Sequence, residues 1–476
     1  MFATKFLLFS ALATAQALPE LQFGGTALFG QEAGPNVEFF GGIPFAEPPT
    51  GALRLRPPML KPRLNATSFD ASQYGKACIQ PQADPSTVSE DCLTINVHRP
   101  KGAKSSSKLP VFFWTYGGAF ILGSSSTYNG SEIVERSVQR GTPIIFVNFN
   151  YRLGPLGFPQ GQEAETRKSL NLGILDQMAA LERVRANIGA FGGNKDKVTI
   201  FGESAGAMMT GILYLNPEIE RLARGASGSP NSAPAFPAHR NEPAWHNFVR
   251  NVPSCSSLAA SAETLPCLRN ATSEEIATAV LRSVVLRDLV SNLIWTPTLD
   301  PNSNSVYSDL ASRLYSKGRS ARIPFIAGTN LDEGTYFASH DELSDQALKD
   351  NLATISSPRS GSPDQLGTAI DRALALYPDV PAVGSPYGTG DELFGFPRSY
   401  KRHASIRRSI SYAIALWWRL TFICALSGDL IFNAPRRLLS HFAANTGIQS
   451  YGYLFTHPQP DPSRGGKFIN SYMFCR

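Results

Sequence analysis

The stretch that decides the fold is VTIFGESAGA, residues 198–207. It opens on β-branched and aromatic residues, which favour a buried strand, and it runs into the helix-forming segment AMMTGILYL. A G-x-S-x-G motif stands between the two, and such a strand–turn–helix holds its serine in a strained turn with Oγ exposed above the sheet. Gly202 and Gly206 fit this geometry because a side chain there would clash with the neighbouring strand and helix. The motif predicts a nucleophile at Ser204; a serine in an ordinary tight turn is the alternative, and the flanking elements count against it.

Similar runs predict the rest of a sheet. Short apolar runs without alternation are typical of strands buried on both faces, and they occur at Pro110–Tyr116, Pro143–Tyr151, Lys197–Phe201, Ile323–Ala327 and Ser450–Thr456. Helical stretches lie between them at Leu175–Ile188, Ala205–Leu215 and Ser344–Ile355. This alternation predicts an α/β fold with a central, mostly parallel sheet flanked by helices. Residues 225–240, 296–305 and 357–364 are predicted surface loops, and residues 18–476 are predicted to form one domain.

A glycine-rich loop upstream supplies a second part of the candidate site. Gly117, Gly118 and Ala119 follow the predicted strand PVFFW. Small residues in this position let backbone N–H groups approach a developing oxyanion at about 2.7–3.1 Å. The N–H of Ala205, directly after Ser204, would complete the set. A plain glycine-rich hairpin is the alternative. The presence of the elbow in the same chain favours the oxyanion loop over it.

With these motifs in place, the chain resembles the type-B carboxylesterase/lipase family, which includes the cholinesterases, and within it a fungal-type secreted member. The resemblance covers nearly the whole mature chain and implies the α/β-hydrolase fold. Its landmarks are FGGIPFAEPP (40–49), SEDCLTINV (89–97), YGGAFILG (116–123), NFNYRLGPLGF (148–158), NLGILDQ (171–177), VTIFGESAGA (198–207) and GTNLDEGTYF (328–337).

The resemblance also implies roles for individual residues. Ser204 matches the family nucleophile and Glu333 matches the triad acid, with Asp332 beside it as the rival. The oxyanion-hole donors of the family match Gly118, Ala119 and Ala205. Ala119 stands where the family has a third glycine, a change that keeps the N–H group.

The histidine of the triad is unassigned. Hydrolases of this fold run serine, acid, histidine along the chain, so the histidine must follow the last core strand. Of the seven histidines, His457 lies there. In the family a separate, later loop carries this residue, and that loop would fall near Phe468-Ile469, where the sequence has no histidine. His457 therefore remains an alternative and not an assignment.

Several features predict export. Residues 1–17 combine Lys5, a short apolar stretch and a small-x-small site, as a signal peptide does; an amphipathic first helix is the alternative. The three N-x-[ST] sequons predict glycosylation at Asn65, Asn129 and Asn270. Six cysteines suit a few disulfides in an oxidising compartment. The resemblance implies the pairs Cys78–Cys92, which would anchor a lid-like loop, and Cys255–Cys267, leaving Cys424 and Cys475 with no partner but each other.

Two segments depart from the family pattern. Residues 407–427 are an apolar insert with Arg419 near its middle, and residues 465–476 are an unusual tail. A central arginine with short apolar flanks argues against a membrane span, so a buried helix is the simpler interpretation of the insert. Because both segments break the pattern and lack acids, our hypothesis is that they are mis-spliced or read-through sequence and that the C-terminal part of the domain is truncated. Finding both in the mature transcript would overturn it.

The charge balance gives no support to nucleic-acid binding. The chain has 476 residues, 42% hydrophobic and 17% charged, with a net charge of +6. Lys5, the three arginines of the insert, Lys467 and Arg476 account for this surplus. The family-like body is therefore near neutral, and its hydrophobic content excludes a disordered chain.

These observations favour a secreted serine hydrolase that cleaves carboxylic esters of small molecules or lipids through an acyl-enzyme on Ser204. The sequence predicts no cofactor and no metal site. Two alternatives remain: a non-catalytic binding or adhesion homologue on the same scaffold, and a truncated, inactive esterase product without the catalytic histidine. The elbow, the loop and the acid favour the enzyme, and the missing histidine counts against it.

Overall fold

The computed structural model describes residues 18–228, 235–284, 294–302, 305–330, 345–355, 363–376 and 429–455. Several features predicted above lie outside these ranges, namely residues 1–17, Asp332, Glu333, the insert 407–427, Cys424, His457, the tail 465–476 and most of the loop 357–364. The fold and the site are therefore built from the described ranges.

The strands account for all five predicted runs, with shifted ends. They are, in chain order, β1 (Glu20–Phe23), β2 (Thr26–Phe29), β3 (Gln31–Glu32), β4 (Val37–Pro44), β5 (Ser68–Asp70), β6 (Ala77–Cys78), β7 (Val88–Ser89), β8 (Thr94–Pro100), β9 (Leu109–Thr115), β10 (Ile145–Phe149), β11 (Gly193–Gly202), β12 (Gly225–Ser227), β13 (Phe236–Pro237), β14 (Thr298–Leu299), β15 (Phe325–Asn330) and β16 (Ser450–Phe455).

Within the described residues, nine of these strands form one sheet in the order β16-β15-β12-β11-β9-β10-β8-β4-β3. Every pairing from β10 to β16 is parallel. The pairings that join β3, β4, β8 and β10 are antiparallel. The prediction of a central, mostly parallel sheet is thus confirmed.

Helices cover both faces of this sheet. The helices are α1 (Ser131–Gln139), α2 (Gly154–Gly157), α3 (Gln162–Thr166), α4 (Leu172–Asn187), α5 (Ala205–Tyr214), α6 (Glu242–Arg250), α7 (Thr264–Asn270), α8 (Ser273–Ser283), α9 (Ala311–Ser316), α10 (Asp345–Ile355), α11 (Pro363–Ala375) and α12 (Ala434–Thr446). Neighbouring residues of a strand point to opposite faces. On β9, Phe113 packs in the cluster that contains Leu181 of α4, whereas Trp114 packs in the one that contains Val134 of α1.

The prediction that residues 225–240 form a surface loop is wrong in part. Gly225–Ser227 is a strand in the middle of the sheet, paired with β11 and β15, and Phe236 is fully buried. Gly-Ala-Ser carries none of the bulky side chains by which a buried strand is recognised. A small residue is needed directly after this strand, because a Cβ added at Gly228 would lie 3.0 Å from the carbonyl oxygen of Gly202. The predicted loop 296–305 likewise contains a buried strand, β14.

The covalent and surface features agree with the sequence. The structure joins Cys78 to Cys92 and Cys255 to Cys267 by disulfide bonds. The asparagines of the sequons are exposed, at positions 65, 129 and 270. Among the described residues, no helix is long and apolar enough to cross a membrane.

Candidate active site

The elbow lies where the sequence predicts it. Strand β11 ends at Gly202 and helix α5 begins at Ala205, with the half-buried Ser204 between them. Ser204 has φ 50° and ψ −123°, a conformation that side-chain-bearing residues rarely adopt and that costs about 1–3 kcal/mol. The first turn of α5 directs its free N–H groups and the positive end of its dipole toward this serine.

The motif glycines are required by close backbone approaches. A Cβ added at Gly202 would lie 2.6 Å from the backbone of Gly206. A Cβ added at Gly206 would lie 2.1 Å from the carbonyl oxygen of Thr115 and 2.6 Å from that of Tyr116. The start of α5 is therefore pressed against the end of β9, which carries the glycine-rich loop.

The glycine-rich loop lies directly against Ser204. A Cβ added at Gly117 would be 2.9 Å from Cβ of Ser204. The next three residues have positive φ angles: 107° at Gly118, 53° at Ala119 and 65° at Phe120. In the part of the chain that the structure describes, no hydrogen bond uses the N–H groups of Gly118, Ala119 or Ala205. The loop that lies against Ser204 and the start of α5 thus carry backbone donors without a partner among the described residues.

Two tyrosines hold the loop from behind. The rings of Tyr116 and Tyr151 are stacked with centroids 4.5 Å apart, and the hydroxyl of Tyr151 donates to the carbonyl oxygen of Tyr116 at 2.9 Å. The N–H of Gly154 donates to the carbonyl oxygen of Phe120 at 2.8 Å. The segment after β10 therefore fixes both the start and the middle of the loop.

That segment is itself fixed by helix α4. Asp176, fully buried, accepts from the backbone N–H and the guanidinium of Arg152 at 2.7–3.0 Å. The next residue, Gln177, donates to Oγ1 of Thr115 at 2.8 Å. One turn of α4 is thus hydrogen-bonded both to the end of β9 and to the segment after β10 that contains Tyr151.

A carboxyl group lies beside the serine. Oε2 of Glu203 lies 2.5 Å from the point where a Cβ at Gly117 would sit, so in this conformation the carboxyl group lies directly against Gly117. Burial raises the pKa of Glu203 to about 7. Near neutral pH this group is therefore protonated in a substantial fraction of the molecules. Glu203 is not among the residues predicted from the motif, although its place between Gly202 and Ser204 was an available signal.

Comparisons with known proteins agree with this geometry. The sequence model of the carboxylesterase family matches residues 22–365. The chain belongs to the carboxylesterase family. Lipase 1 of Geotrichum candidum is 33% identical over 96% of this chain and 83% of its own length. The secreted triacylglycerol lipase LIP1 of Gibberella zeae is 34% identical over 90% of this chain and 73% of its own length.

A solved structure extends the match to the fold. The crystal structure of Aspergillus niger EstA has a TM-score of 0.75 and 26% identity, covering 96% of this chain and 81% of that chain. This carboxylesterase thus has the α/β-hydrolase fold and is a carboxylic ester hydrolase, as predicted from the motifs.

Two candidate residues from the sequence, Glu333 for the triad acid and His457 as the open alternative for the histidine, lie outside the described residues. Strand β15 ends at Asn330, shortly before Glu333, and β16 ends at Phe455, shortly before His457. Both strands run parallel to β11. Their carboxyl ends therefore lie at the same edge of the sheet as Ser204, the edge where parallel sheets carry their sites.

One histidine of the described part has a structural role. His98 on β8 is buried, with Nε2 3.0 Å from the hydroxyl of Tyr74 and Nδ1 3.2 Å from Oγ of Ser131. Burial lowers its pKa to about 3, so it is neutral. Within the described ranges no histidine is hydrogen-bonded to Ser204, and no group of three or more His, Cys, Asp or Glu is placed to hold a metal ion.

Proposed function

We propose that the protein is a secreted serine esterase that forms an acyl-enzyme on Ser204. The observation that carries the proposal is the arrangement of a strained serine against backbone N–H groups that have no partner in the described part of the chain. When Oγ of Ser204 attacks an ester, the carbonyl oxygen becomes an oxyanion, and donors at about 2.7–3.1 Å stabilise it. Gly118, Ala119 and Ala205 are the proposed donors.

The reaction then follows from this arrangement. Oγ of Ser204 bonds to the carbonyl carbon while its proton passes to a general base. The ester C–O bond breaks, and the alcohol leaves with that proton. Water hydrolyses the acyl-enzyme, which releases the acid and restores the serine. We infer Glu333 as the acid that orients the base, and His457 as the candidate base, since it follows the last core strand.

The substrate class and the compartment are inferred from several features together. The relatives are named lipases, and one of them a triacylglycerol lipase; a further relative from Bacillus subtilis, named para-nitrobenzyl esterase, is 34% identical over 63% of this chain. An ester of a small molecule or a lipid is therefore the proposed substrate. Secretion is supported by residues 1–17, by two disulfides and by exposed sequons.

Ser204→Ala tests the proposal. Wild type is expected to react with a fluorophosphonate probe and to hydrolyse p-nitrophenyl esters of graded acyl length, and Ser204→Ala to do neither. The control is Ser316→Ala, the same change at an exposed serine whose hydroxyl donates to the carbonyl oxygen of Arg313 in its own helix. That variant should match wild type in both assays.

The opposite result is also informative. Wild-type protein that unfolds cooperatively on heating but neither reacts with the probe nor hydrolyses any ester would refute the proposed function. It would favour the non-catalytic homologue or the truncated, inactive product.

A further inference from the structure

The loop closed by Cys78 and Cys92, called the disulfide loop below, contacts the glycine-rich loop through one side chain. The half-buried amide of Gln80 accepts from the N–H of Gly123 at 2.8 Å and donates to the carbonyl oxygen of Gly123 at 2.9 Å. It also donates to the carbonyl oxygen of Cys78 at 3.1 Å. Both polar groups of Gly123 are therefore bound by a single amide.

Gly123 is the residue at which the glycine-rich loop closes on its own beginning. Its φ is 119°, and a Cβ added there would lie 2.6 Å from the ring of Tyr116 and 2.8 Å from the carbonyl oxygen of Gly117. The N–H of Leu122, just before it, donates to the carbonyl oxygen of Gly118 at 3.1 Å. A displacement of Gly123 would therefore move the peptide groups of the proposed oxyanion donors.

Gln80 is held rigidly enough to act as an anchor. Cys78 is buried and disulfide-bonded, and it pairs with Ser89 in the short β6–β7 ladder. The residue after Ser89, Glu90, forms a buried bidentate ion pair with Arg54 at 2.6 and 2.7 Å. Both ends of the disulfide loop are thus fixed to the body of the domain.

We propose that Gln80 is a positioning residue for the oxyanion loop, which it holds at the spacing that the transition state requires. This inference rests on the proposed function. Backbone donors act on an oxyanion over a narrow range of about 2.7–3.1 Å. A side chain that both donates and accepts is needed to bind the two groups of one peptide residue; a carboxylate would face the carbonyl oxygen of Gly123 with no proton to share.

Gln80→Leu removes both hydrogen bonds with Gly123, and the one to Cys78, at nearly constant volume, and Gln82→Leu is the matched control. Gln82 is exposed in the same disulfide loop, so the chemical change is the same. We expect kcat of Gln80→Leu to fall by ~10- to 100-fold, because a shift of about 1 Å at a reacting centre costs about that much. KM should stay within about twofold, since ground-state binding is unchanged. The affinity for a trifluoromethyl ketone, which forms an oxyanion adduct with the serine, should fall with kcat.

Gln80→Glu gives a second, reversible readout. A protonated carboxyl can donate and accept as the amide does, whereas an ionised one cannot. The ratio of its kcat to that of wild type should therefore rise as the pH falls through the pKa of the introduced carboxyl. A purely structural role would lower stability without this pH-dependent recovery.

The outcomes separate the two proposals. If wild type is active and Ser204→Ala is not, while Gln80→Leu and Gln82→Leu have the same kcat, the role of Gln80 is refuted and the proposed function stands. A change confined to KM, or a flat pH ratio for Gln80→Glu, would also refute the role of Gln80. Inactive, folded wild type would refute the proposed function itself.

Discussion

Gly117→Ala tests whether the contact between the glycine-rich loop and the elbow sets the activity. Gly117 does not have a positive φ, so alanine meets no backbone strain and the effect is purely steric. The added methyl would lie 2.5 Å from Oε2 and 2.8 Å from the carbonyl oxygen of Glu203, and 2.9 Å from Cβ of Ser204. The first contact is with a side-chain end, which can rotate away. The other two are with the elbow itself.

The magnitude follows from these distances. Ordinary contacts begin at 3.4 Å, so loop and elbow must separate by about 0.5 Å, and overpacking of this kind costs about 1–3 kcal/mol of stability. Because a misplacement of about 1 Å costs about 100-fold, kcat should fall by ~10-fold or more. Gly189→Ala is the control, because a Cβ there meets nothing within 4 Å.

The assay combines p-nitrophenyl ester hydrolysis, the rate of fluorophosphonate labelling and urea unfolding of both variants. Labelling should slow in parallel with kcat, since both reactions need the serine and the oxyanion donors in register. If Gly117→Ala kept the kcat and the unfolding midpoint of Gly189→Ala, the close contact described here between loop and nucleophile would be wrong.

Three further predictions concern groups around the site. The pKa of Glu203 is raised from 4.5 to about 7, so the folded state binds the proton of this carboxyl more tightly than the unfolded state does. The free energy of unfolding should therefore fall as the pH rises from about 4.5 to 7. Glu203→Gln should lose this pH dependence when its unfolding free energy is measured in urea at several pH values, and a slope equal to that of wild type would contradict the raised pKa. Arg152→Met leaves Asp176 buried without its cation and should lower the free energy of unfolding in urea by about 3–5 kcal/mol. The double variant Arg152→Met/Asp176→Leu should recover part of this loss. If the single and the double variant lost the same free energy, the ion pair would not be the cause. Replacing Cys255 and Cys267 by serine should cost about 3 kcal/mol with kcat unchanged, whereas the same change in the disulfide loop should lower kcat as well.

The features that the sequence predicts correctly are those whose physical cause is local. Strands such as β10, IFVNF, are buried on both faces and therefore consist of large apolar residues with little alternation. The elbow is equally local, because strand, turn and helix are consecutive and the glycines that relieve the clashes lie two residues either side of Ser204. For the same reason the predicted helices 175–188, 205–215 and 344–355 lie within a few residues of α4, α5 and α10.

The features that were missed depend on residues far apart in the chain. Strand β12 is set by its pairing with β11 and β15, which lie elsewhere in the chain and which its own residues do not reveal. Gln80 and Gly123 are separated by 43 positions, and no local pattern connects them. The raised pKa of Glu203 results from burial beside Gly117, which is a property of the folded loop and not of the motif.

The backbone donors that have no partner in the described part of the chain and the strained serine have a common explanation. Ser204, Ala119 and Phe120 all hold positive φ angles, and such residues persist only where the surroundings over-determine them. The surroundings here are the stacked tyrosines, the buried ion pair of Arg152 and the amide of Gln80. Gly118 and Ala119 are half-buried, so water can reach their N–H groups in the resting protein, and an oxyanion formed there would take the place of that water as acceptor. If these groups act as proposed, donors held in place before the reaction stabilise the oxyanion of the transition state more than the neutral ester, which is the difference on which the rate depends.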